Sequence, residues 1–242
     1  MNIKNSPAVI LVPGYWLGSW AWDDVTGCLF DAGVPTMAVT LPGLDSPATR
    51  RHNIRLSDHI EALVKTISNT ASPVLLVAHS GAGALATAVL DEVPELISRV
   101  VYVESGPVAD RTIARPDLDT ETVEVPLPTW EQLEAGGASL AGLNEVMLRR
   151  FQAQAVPHPA GPLREPVRLN NPARNNVPAT IVCCSCPSTT VRQMAVGGTS
   201  MFAPLVDLTD TDYVDLPTGH WPMWSKPEAL SEIIMAELMK NS

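Results

Sequence analysis

The stretch Pro73–Gly83, PVLLVAHSGAG, decides the fold of this chain. Its apolar run Val74–Val77 is typical of a central strand that is buried on both faces of a parallel sheet. Small residues and Ser80 follow the run, and the next segment, ALATAVLDEV, has the composition of a helix that Pro94 ends. A strand, a tight turn that holds a serine and a helix together predict a nucleophile elbow at Ser80.

The residues around the serine allow a second interpretation. Alanine stands at both outer positions of the pattern G-x-S-x-G, as Ala78 and Ala82, so that the turn is still free of bulky side chains. A buried strand-to-helix junction in any α/β protein also uses small residues for close packing. The choice between the two interpretations depends on the rest of the chain.

Composition and charge limit the possible classes of protein. The chain has 242 residues, 45% of them hydrophobic and 17% charged, which predicts one globular domain. A net charge of −10 argues against nucleic acid or an anionic membrane as a partner. The start MNIKNSPAVILV predicts a strand rather than a signal peptide, and the four cysteines are not spaced as a disulfide framework. We therefore expect a cytoplasmic protein.

Strands and helices alternate along most of the chain, which predicts an α/β fold with a doubly wound, mainly parallel sheet of about six strands. Besides the elbow strand, the apolar runs predict strands at Ala8–Val12, Thr36–Leu41, Val100–Val103, Thr180–Cys184 and Tyr213–Leu216. Ser19 is expected to cap a helix that reaches Ala32, and the spacing of Ser225 and Glu228 predicts a capping box before the last helix.

Residues 108–178 interrupt the alternation. They hold nine of the 22 prolines, and seven carboxylates but no basic residue lie between Arg115 and Arg149. Helices are expected from Trp130 and over Leu140–Phe151. A long insertion between two strands of one sheet suits a lid (cap) over a site, inside one domain whose core is 1–107 and 179–242; an acidic surface loop is the alternative.

A nucleophilic serine needs a base, a group that orients the base, and donors for the oxyanion. His220 is the best candidate for the base, because it follows the last predicted strand and can reach back over the elbow. Glu104 ends the strand after the elbow and is the candidate acid. A salt-bridged or capping carboxylate is the alternative role for Glu104.

The order of these motifs resembles the α/β-hydrolase superfamily over nearly the whole chain. The segments PGYWLGSWAW and TGHWPMWSKPEAL are similar to the small serine esterases related to plant hydroxynitrile lyases and methylesterases. That resemblance implies an oxyanion hole made by the backbone N–H groups of Tyr15 and Gly81. We expect no cofactor, and no metal, because neither a histidine nor a second cysteine pair accompanies the cluster CCSC.

Two features depart from the pattern of the superfamily. Pro13-Gly14 replaces the His-Gly pair after the first strand, and CCSCPSTT stands where most members carry the acid. Fungal hydrolases of macrocyclic lactones carry the acid on the strand where Glu104 lies and have Val-Pro for His-Gly, so the chain also resembles them. A carboxylate among Asp207, Asp210, Asp212 and Asp215 is the alternative for the third member of the triad.

Aromatic residues border these positions, and we expect Trp16, Trp130 and Trp221 to contact the substrate. The sequence thus predicts a serine hydrolase that cleaves a carboxylic ester, lactone or thioester of an apolar or aromatic small molecule through an acyl-enzyme. The alternatives are C–C bond cleavage, lactone formation or isomerisation, and a ligand receptor without catalysis. Trp221 occupies the place of the lysine in hydroxynitrile lyases, which argues against cyanogenesis. A homodimer is compatible with this interpretation.

Overall fold

The computed structural model describes residues 9–70 and 73–240, which form eight strands. In chain order they are β1 (Val9–Val12), β2 (Thr36–Ala38), β3 (Val74–His79), β4 (Ile97–Val103), β5 (Glu124–Val125), β6 (His158–Pro159), β7 (Ala179–Cys183) and β8 (Thr211–Asp215). Six of them form one parallel sheet in the order β2-β1-β3-β4-β7-β8, and β5 pairs with β6 in antiparallel fashion. This topology confirms the predicted α/β fold. Ala8, and the start of the chain from which the absence of a signal peptide is expected, lie outside the described residues.

The described helices cover both faces of this sheet. They are α1 (Asp23–Asp31), α2 (Leu56–Ser68), α3 (Ala82–Glu92), α4 (Trp130–Ala135), α5 (Glu145–Gln154), α6 (Ala160–Arg164), α7 (Ser188–Val196), α8 (Pro222–Ser225) and α9 (Pro227–Met239). Alternate strand residues point to opposite faces, so Ile10 and Leu76 belong to one apolar cluster and Val9 and Leu75 to the other. Because all four side chains are fully buried, the sheet is packed on both faces.

The structure corrects the helix starts that were predicted at Ser19, Leu140 and Ser225. Ser19 begins a 3₁₀ helix, Ser19–Trp22, and does not cap α1, because its N–H and hydroxyl are paired with Thr40 at 2.9 and 3.1 Å. Ser225 ends α8, where its hydroxyl is bonded to Thr218 at 2.7 Å, so no capping box with Glu228 forms.

The helix predicted at Leu140–Phe151 begins five residues later, at Glu145. The side chain of Asn144 accepts a hydrogen bond from the N–H of Met147 at 3.0 Å and fixes this start.

The insertion, residues 108–178, is held to the core by three kinds of contact. Phe151 of α5 is fully buried against the rings of Trp221 and Trp224. Arg51 donates to Glu124 of β5 at 3.1 Å, with an Arg51 side chain that is 1% exposed. The N–H of Val156 donates to the carbonyl of Trp16 at 3.0 Å. The insertion is thus packed onto the same core that holds the elbow.

The parallel strands bring the candidate site residues to one edge of the sheet, the edge at which the strands have their carboxyl ends. Because β3, β4, β7 and β8 run in the same direction, the segments that follow their carboxyl ends meet there. Ser80 directly follows β3 and Glu104 directly follows β4. His220 lies five residues beyond the end of β8.

Two helical glycines provide a test of how closely α3 approaches this edge. A Cβ on Gly83 of α3 would collide with Oγ of Ser105 and the carbonyl of Gly106, whereas a Cβ on Gly27 of α1 would meet nothing within 4 Å.

We expect Gly27→Ala to raise the free energy of unfolding by ~0.5–1 kcal/mol, because alanine is the better helix former. Gly83→Ala should lower the free energy of unfolding by ~1–3 kcal/mol, because α3 must move away. Urea denaturation measures both, and equal effects would contradict the close approach.

Candidate active site

Ser80 has a left-handed backbone conformation, with φ at +52°. That conformation costs about 1–2 kcal/mol for a residue with a Cβ, so the surrounding contacts must maintain it. The N–H of Ser80 donates to the carbonyl of Val103 at 3.0 Å, and its carbonyl accepts from Ser105 Oγ at 2.5 Å and from the N–H of Gly83 at 3.0 Å. The turn between β3 and α3 is therefore a strained elbow with the serine at its tip.

His220 lies beside this serine. Its Nε2 is 2.7 Å from Oγ of Ser80, and its side chain is 17% exposed. The insertion holds the loop of this histidine, because the N–H groups of Gly219 and His220 donate to the carbonyls of Ala141 and Ser139 at 3.0 and 2.8 Å. The structure thus brings the predicted nucleophile and base within hydrogen-bonding distance.

His79 is a second histidine that holds this loop, and sequence reasoning missed it. Its fully buried Nε2 donates to the carbonyl of His220 at 2.7 Å. Burial lowers the pKa of His79 to about 3, so the ring is neutral and keeps the proton on Nε2. Because the residue ends β3, its position beside Ser80 was the available sequence signal.

Glu104 faces the other nitrogen of His220, with Oε2 at 3.4 Å from Nδ1 and a side chain that is 8% exposed. Like Ser80, it has a positive φ, of +47°. Its Oε1 accepts from the N–H groups of Cys184 and Ser185 at 2.6 and 2.9 Å, and its Oε2 accepts from Ser185 Oγ at 2.5 Å. Burial raises the pKa of Glu104, but the hydrogen bonds from His220, Ser185 and Cys184 outweigh it, so this pKa lies below its usual range.

Three of the four alternative acids are paired with other residues. Asp215 accepts from the N–H and hydroxyl of Ser188 at 2.7 Å each, where it caps the start of α7. Asp212 is bonded to Lys240 at 2.9 Å, and Asp210 lies 3.9 Å from Arg99. Asp207 ends a 3₁₀ helix, Ala203–Asp207. Among the described carboxylates, the ion-pair distances therefore place only Glu104 against His220.

The loop after β1 packs onto the elbow. A Cβ on Gly14 would lie 3.1 Å from Cβ of Ser80, and a Cβ on Gly81 would collide with the ring of Tyr15. Within the described residues, no backbone acceptor is paired with the N–H of Tyr15 or of Gly81. Gly81 directly follows Ser80 and the ring of Tyr15 packs on Gly81, so both residues lie beside the serine.

A cavity of about 40 Å³ adjoins this pair, and its lining includes Gly14, Tyr15 and Gly81. The tryptophans expected to bind substrate, Trp16, Trp130 and Trp221, are not part of that lining. Trp130 and Trp221 pack on the ring of Phe151, and the ring of Trp221 also meets His220 edge-on at 4.9 Å. Trp16 donates from Nε1 to the carbonyl of Val125 at 3.0 Å. Contact of these three residues with substrate stays a prediction.

Two further properties of the described residues concern metals and membranes. Within 9–70 and 73–240, no group of three or more His, Cys, Asp or Glu side chains is arranged to hold a metal ion. No helix in these ranges is both long enough and apolar enough to span a bilayer.

The four cysteines are free thiols, and burial raises the pKa of Cys183 to about 12.

Comparison with known sequences matches residues 9–233 to the alpha/beta hydrolase family. Relatives include a putative chloroplastic methylesterase 12 of Arabidopsis thaliana, 29% identical over 104 residues, which are 42% of this chain and 30% of that protein. A carbendazim hydrolyzing esterase of Nocardioides sp. (strain SG-4G) is 31% identical over 98 residues, 40% of either chain. The matched stretch spans less than half the length of these relatives.

Comparison with solved structures finds the same fold over the whole chain. The structure of the methylesterase protein MES16 from Arabidopsis superimposes with a TM-score of 0.77 and 17% identity, over 97% of this chain and 99% of that chain. At this identity the likeness concerns the fold alone.

The lowered pKa of Glu104 leads to a prediction about stability and pH. A carboxyl group whose pKa is lower in the folded than in the unfolded state stabilises the fold above the unfolded pKa of about 4.3. That contribution is lost as the pH falls through the folded pKa. Glu104→Gln should therefore reduce the free energy of unfolding most at pH 7, and the difference from wild type should shrink below about pH 4.

Urea denaturation between pH 3 and pH 7 measures this difference. Glu145→Gln, on the exposed face of α5, is the matched control and should follow the wild type closely. A Glu104→Gln difference that stays constant down to pH 3 would show that the carboxylate charge contributes nothing.

Proposed function

Since the chain belongs to the alpha/beta hydrolase family, we propose that it hydrolyses a carboxylic ester, lactone or thioester through an acyl-enzyme on Ser80. The observation that carries the proposal is the 2.7 Å hydrogen bond between Oγ of Ser80 and Nε2 of His220. A serine at the tip of a strained elbow, bonded to an imidazole, is the arrangement that activates a hydroxyl for attack on a carbonyl. The methylesterase and esterase names of the relatives agree with this chemistry.

The proposed reaction has two halves. Oγ of Ser80 attacks the carbonyl carbon while Nε2 of His220 takes the hydroxyl proton, and that proton then passes to the leaving alcohol. Water attacks the acyl-enzyme in the second half, again with His220 as the base, and releases the acid. The N–H groups of Tyr15 and Gly81 stabilise the oxyanion in both halves, because backbone donors fixed beforehand need no reorganisation during the reaction.

Glu104 is proposed as the third member of the triad. The carboxylate oxygen can only accept a hydrogen bond, so it keeps the His220 proton on Nδ1 and leaves the Nε2 lone pair directed at Ser80. It also stabilises the imidazolium that forms during attack. Of the described carboxylates, Glu104 is the one that the ion-pair distances place near Nδ1, at 3.4 Å.

Two rival functions use the same fold. A C–C bond hydrolase, or an enzyme that forms or isomerises lactones, would use the same serine and histidine on a different carbon skeleton. A receptor without catalysis would bind a ligand without turning it over. The paired Ser80 and His220 favour an enzyme, and turnover of simple esters separates these classes.

We also propose that residues 108–178 act as a cap over the site. The contacts of Ser139 and Ala141 with the His220 loop support a cap, and His158 of the insertion lines the cavity. A reducing cytoplasm is the proposed location, in keeping with the four free cysteines.

The first prediction for this function concerns the nucleophile. A fluorophosphonate probe should label Ser80, because only an activated serine attacks such a probe at a useful rate. Mass spectrometry of the labelled peptide should locate the adduct at Ser80, and Ser80→Ala should abolish it. Absence of label in a folded sample, or an adduct on another serine, would overturn the proposal.

The second prediction concerns the acid. Glu104→Gln should lower kcat for a methyl or 4-nitrophenyl ester by about 10³–10⁴-fold, since the amide favours the wrong tautomer of His220. Asp215→Asn is the matched control, because it replaces a carboxylate at the same edge of the sheet that faces Ser188. It should change kcat by less than about tenfold. The reverse order of effects would assign the acid to Asp215.

A further inference from the structure

The cavity beside Gly81 contains polar side chains among its apolar walls. His59 of α2 and His158 and Glu165 of the insertion line it together with Leu85, Leu163 and Val167. The two histidines are 2% and 3% exposed, and their ring centroids are 5.9 Å apart. Buried polar groups are normally hydrogen-bonded, so the partners of each group need to be accounted for.

His158 holds an unpaired donor. Its Nδ1 accepts from the N–H of Trp16 at 3.4 Å, which assigns the ring proton to Nε2. Burial lowers the pKa of His158 well below its usual range, so the ring is neutral and carries one proton. None of the hydrogen bonds among the described residues uses Nε2 of His158. A ligand in the cavity can supply an acceptor for this N–H.

His59 and Glu165 hold acceptors. Nε2 of His59 donates to the carbonyl of Pro42 at 2.9 Å, so its Nδ1 carries a lone pair. Oε2 of Glu165 accepts from the N–H of Leu56 at 3.0 Å. No donor within the described ranges pairs with Nδ1 of His59 or Oε1 of Glu165. These three side chains therefore offer a free donor and two free acceptors, and the hydroxyl of Tyr15, for which the described residues likewise supply no hydrogen-bond partner, lines the same cavity.

A hydroxyl group suits this set better than the alternatives. It accepts from His158 and at the same time donates to His59 or Glu165. An apolar chain would leave all three groups unpaired, and a carboxylate would face the negative charge of Glu165. A water molecule held there would be replaced by the hydroxyl with its hydrogen bonds kept, whereas an apolar group would lose them.

The position of the cavity indicates which part of the ester enters it. Its wall contains Gly14, Tyr15 and Gly81, which adjoin Ser80, whereas Ser80, His220 and Trp221 are not part of it. The leaving oxygen must lie at Nε2 of His220 to receive its proton. The acyl chain, on the side of the oxyanion donors, is therefore the part that fits. A volume of about 40 Å³ suits a short chain.

We propose that His158, with His59 and Glu165, makes this enzyme selective for esters whose short acyl chain carries a neutral hydroxyl group. His158 is then a specificity-determining residue that donates from Nε2 to the hydroxyl oxygen. This inference rests on the proposed ester hydrolysis at Ser80 and adds the substrate class to it.

The test compares two isosteric methyl esters, methyl 3-hydroxybutanoate as separate enantiomers and methyl 3-methylbutanoate, with acid release followed in a pH-stat. In the wild type, kcat/KM for one enantiomer should exceed that for the methyl analogue by about tenfold or more. In His158→Phe the ratio of kcat/KM for the preferred hydroxy ester to kcat/KM for methyl 3-methylbutanoate should fall to about one. The exposed His52 provides the matched control, His52→Phe, which should keep the wild-type ratio.

A ratio of one or less in the wild type for both enantiomers, or a ratio that survives in His158→Phe, would overturn the inference. Fluorophosphonate labelling of Ser80 separates this failure from failure of the proposed function. A labelled wild type that does not prefer the hydroxy ester, or hydrolyses neither ester, refutes only the substrate class. A folded protein without label or turnover refutes the hydrolase itself.

Glu165→Gln tests the same inference without changing His158. It keeps an oxygen acceptor for the N–H of Leu56 and removes the charge. We expect it to raise kcat/KM for methyl hydrogen succinate, whose acyl chain ends in a carboxylate, by about tenfold over wild type. No increase would show that Glu165 does not face the acyl chain, which would contradict the proposed arrangement of the cavity.

Discussion

The carboxylate of Glu104 joins the end of β4 to the segment that follows β7, and the candidate site depends on this junction. Its two oxygens accept three hydrogen bonds from Cys184 and Ser185 and face Nδ1 of His220. In most of the superfamily the acid stands after β7. Here that segment supplies hydrogen-bond donors instead, and they hold a carboxylate that comes from the neighbouring strand. The proposed acid of this chain therefore faces Nδ1 of His220 from the end of β4 rather than from the segment after β7.

The strained backbone conformations of Ser80 and Glu104 are maintained by the packing of the strands that precede them. Ser80 and Glu104 both have positive φ; Ser80 directly follows the fully buried strand β3, and Glu104 directly follows β4, in which every residue but Ser98 is buried. Two apolar layers hold these strands, so the cost of about 1–2 kcal/mol at each residue is outweighed by side-chain burial, worth about 1.5–3 kcal/mol per large residue. The well-packed core thus keeps the strained residues of the site in place.

The insertion contributes to two different tasks. Through Ser139 and Ala141 it holds the backbone of the His220 loop, and through His158 and Glu165 it lines the cavity beside the oxyanion donors. The proposed reacting groups thus follow strands of the sheet, while two of the three groups proposed to choose the acyl chain come from the insertion.

Local sequence determined the six strands of the parallel sheet, the elbow and the order of the candidate residues, but not the short strands β5 and β6 of the insertion. Apolar runs such as Val74–Val77 and the small residues around Ser80 act within a few positions, so they can be interpreted without neighbours. The helix starts at Ser19 and Ser225 were wrong, because their hydroxyls are bonded to Thr40 and Thr218 rather than to the helix ends. The packing of the folded chain determines that Thr40 and Thr218 are the partners of these hydroxyls.

Only the tertiary structure decided which groups face the histidine and the cavity. Glu104 and Ser185 are 81 positions apart in the chain, and His79 and His220 are 141 apart. The periodicity of hydrophobic residues in the sequence does not indicate such pairs, because hydrogen bonds between distant segments depend on strand order and loop direction. The expectation of an aromatic substrate pocket arose from residue type and position, whereas the structure packs Trp130 and Trp221 around Phe151 and places two histidines at the cavity. Hydrophobicity predicts that a tryptophan is buried, but the partner that covers it is settled by the folded chain.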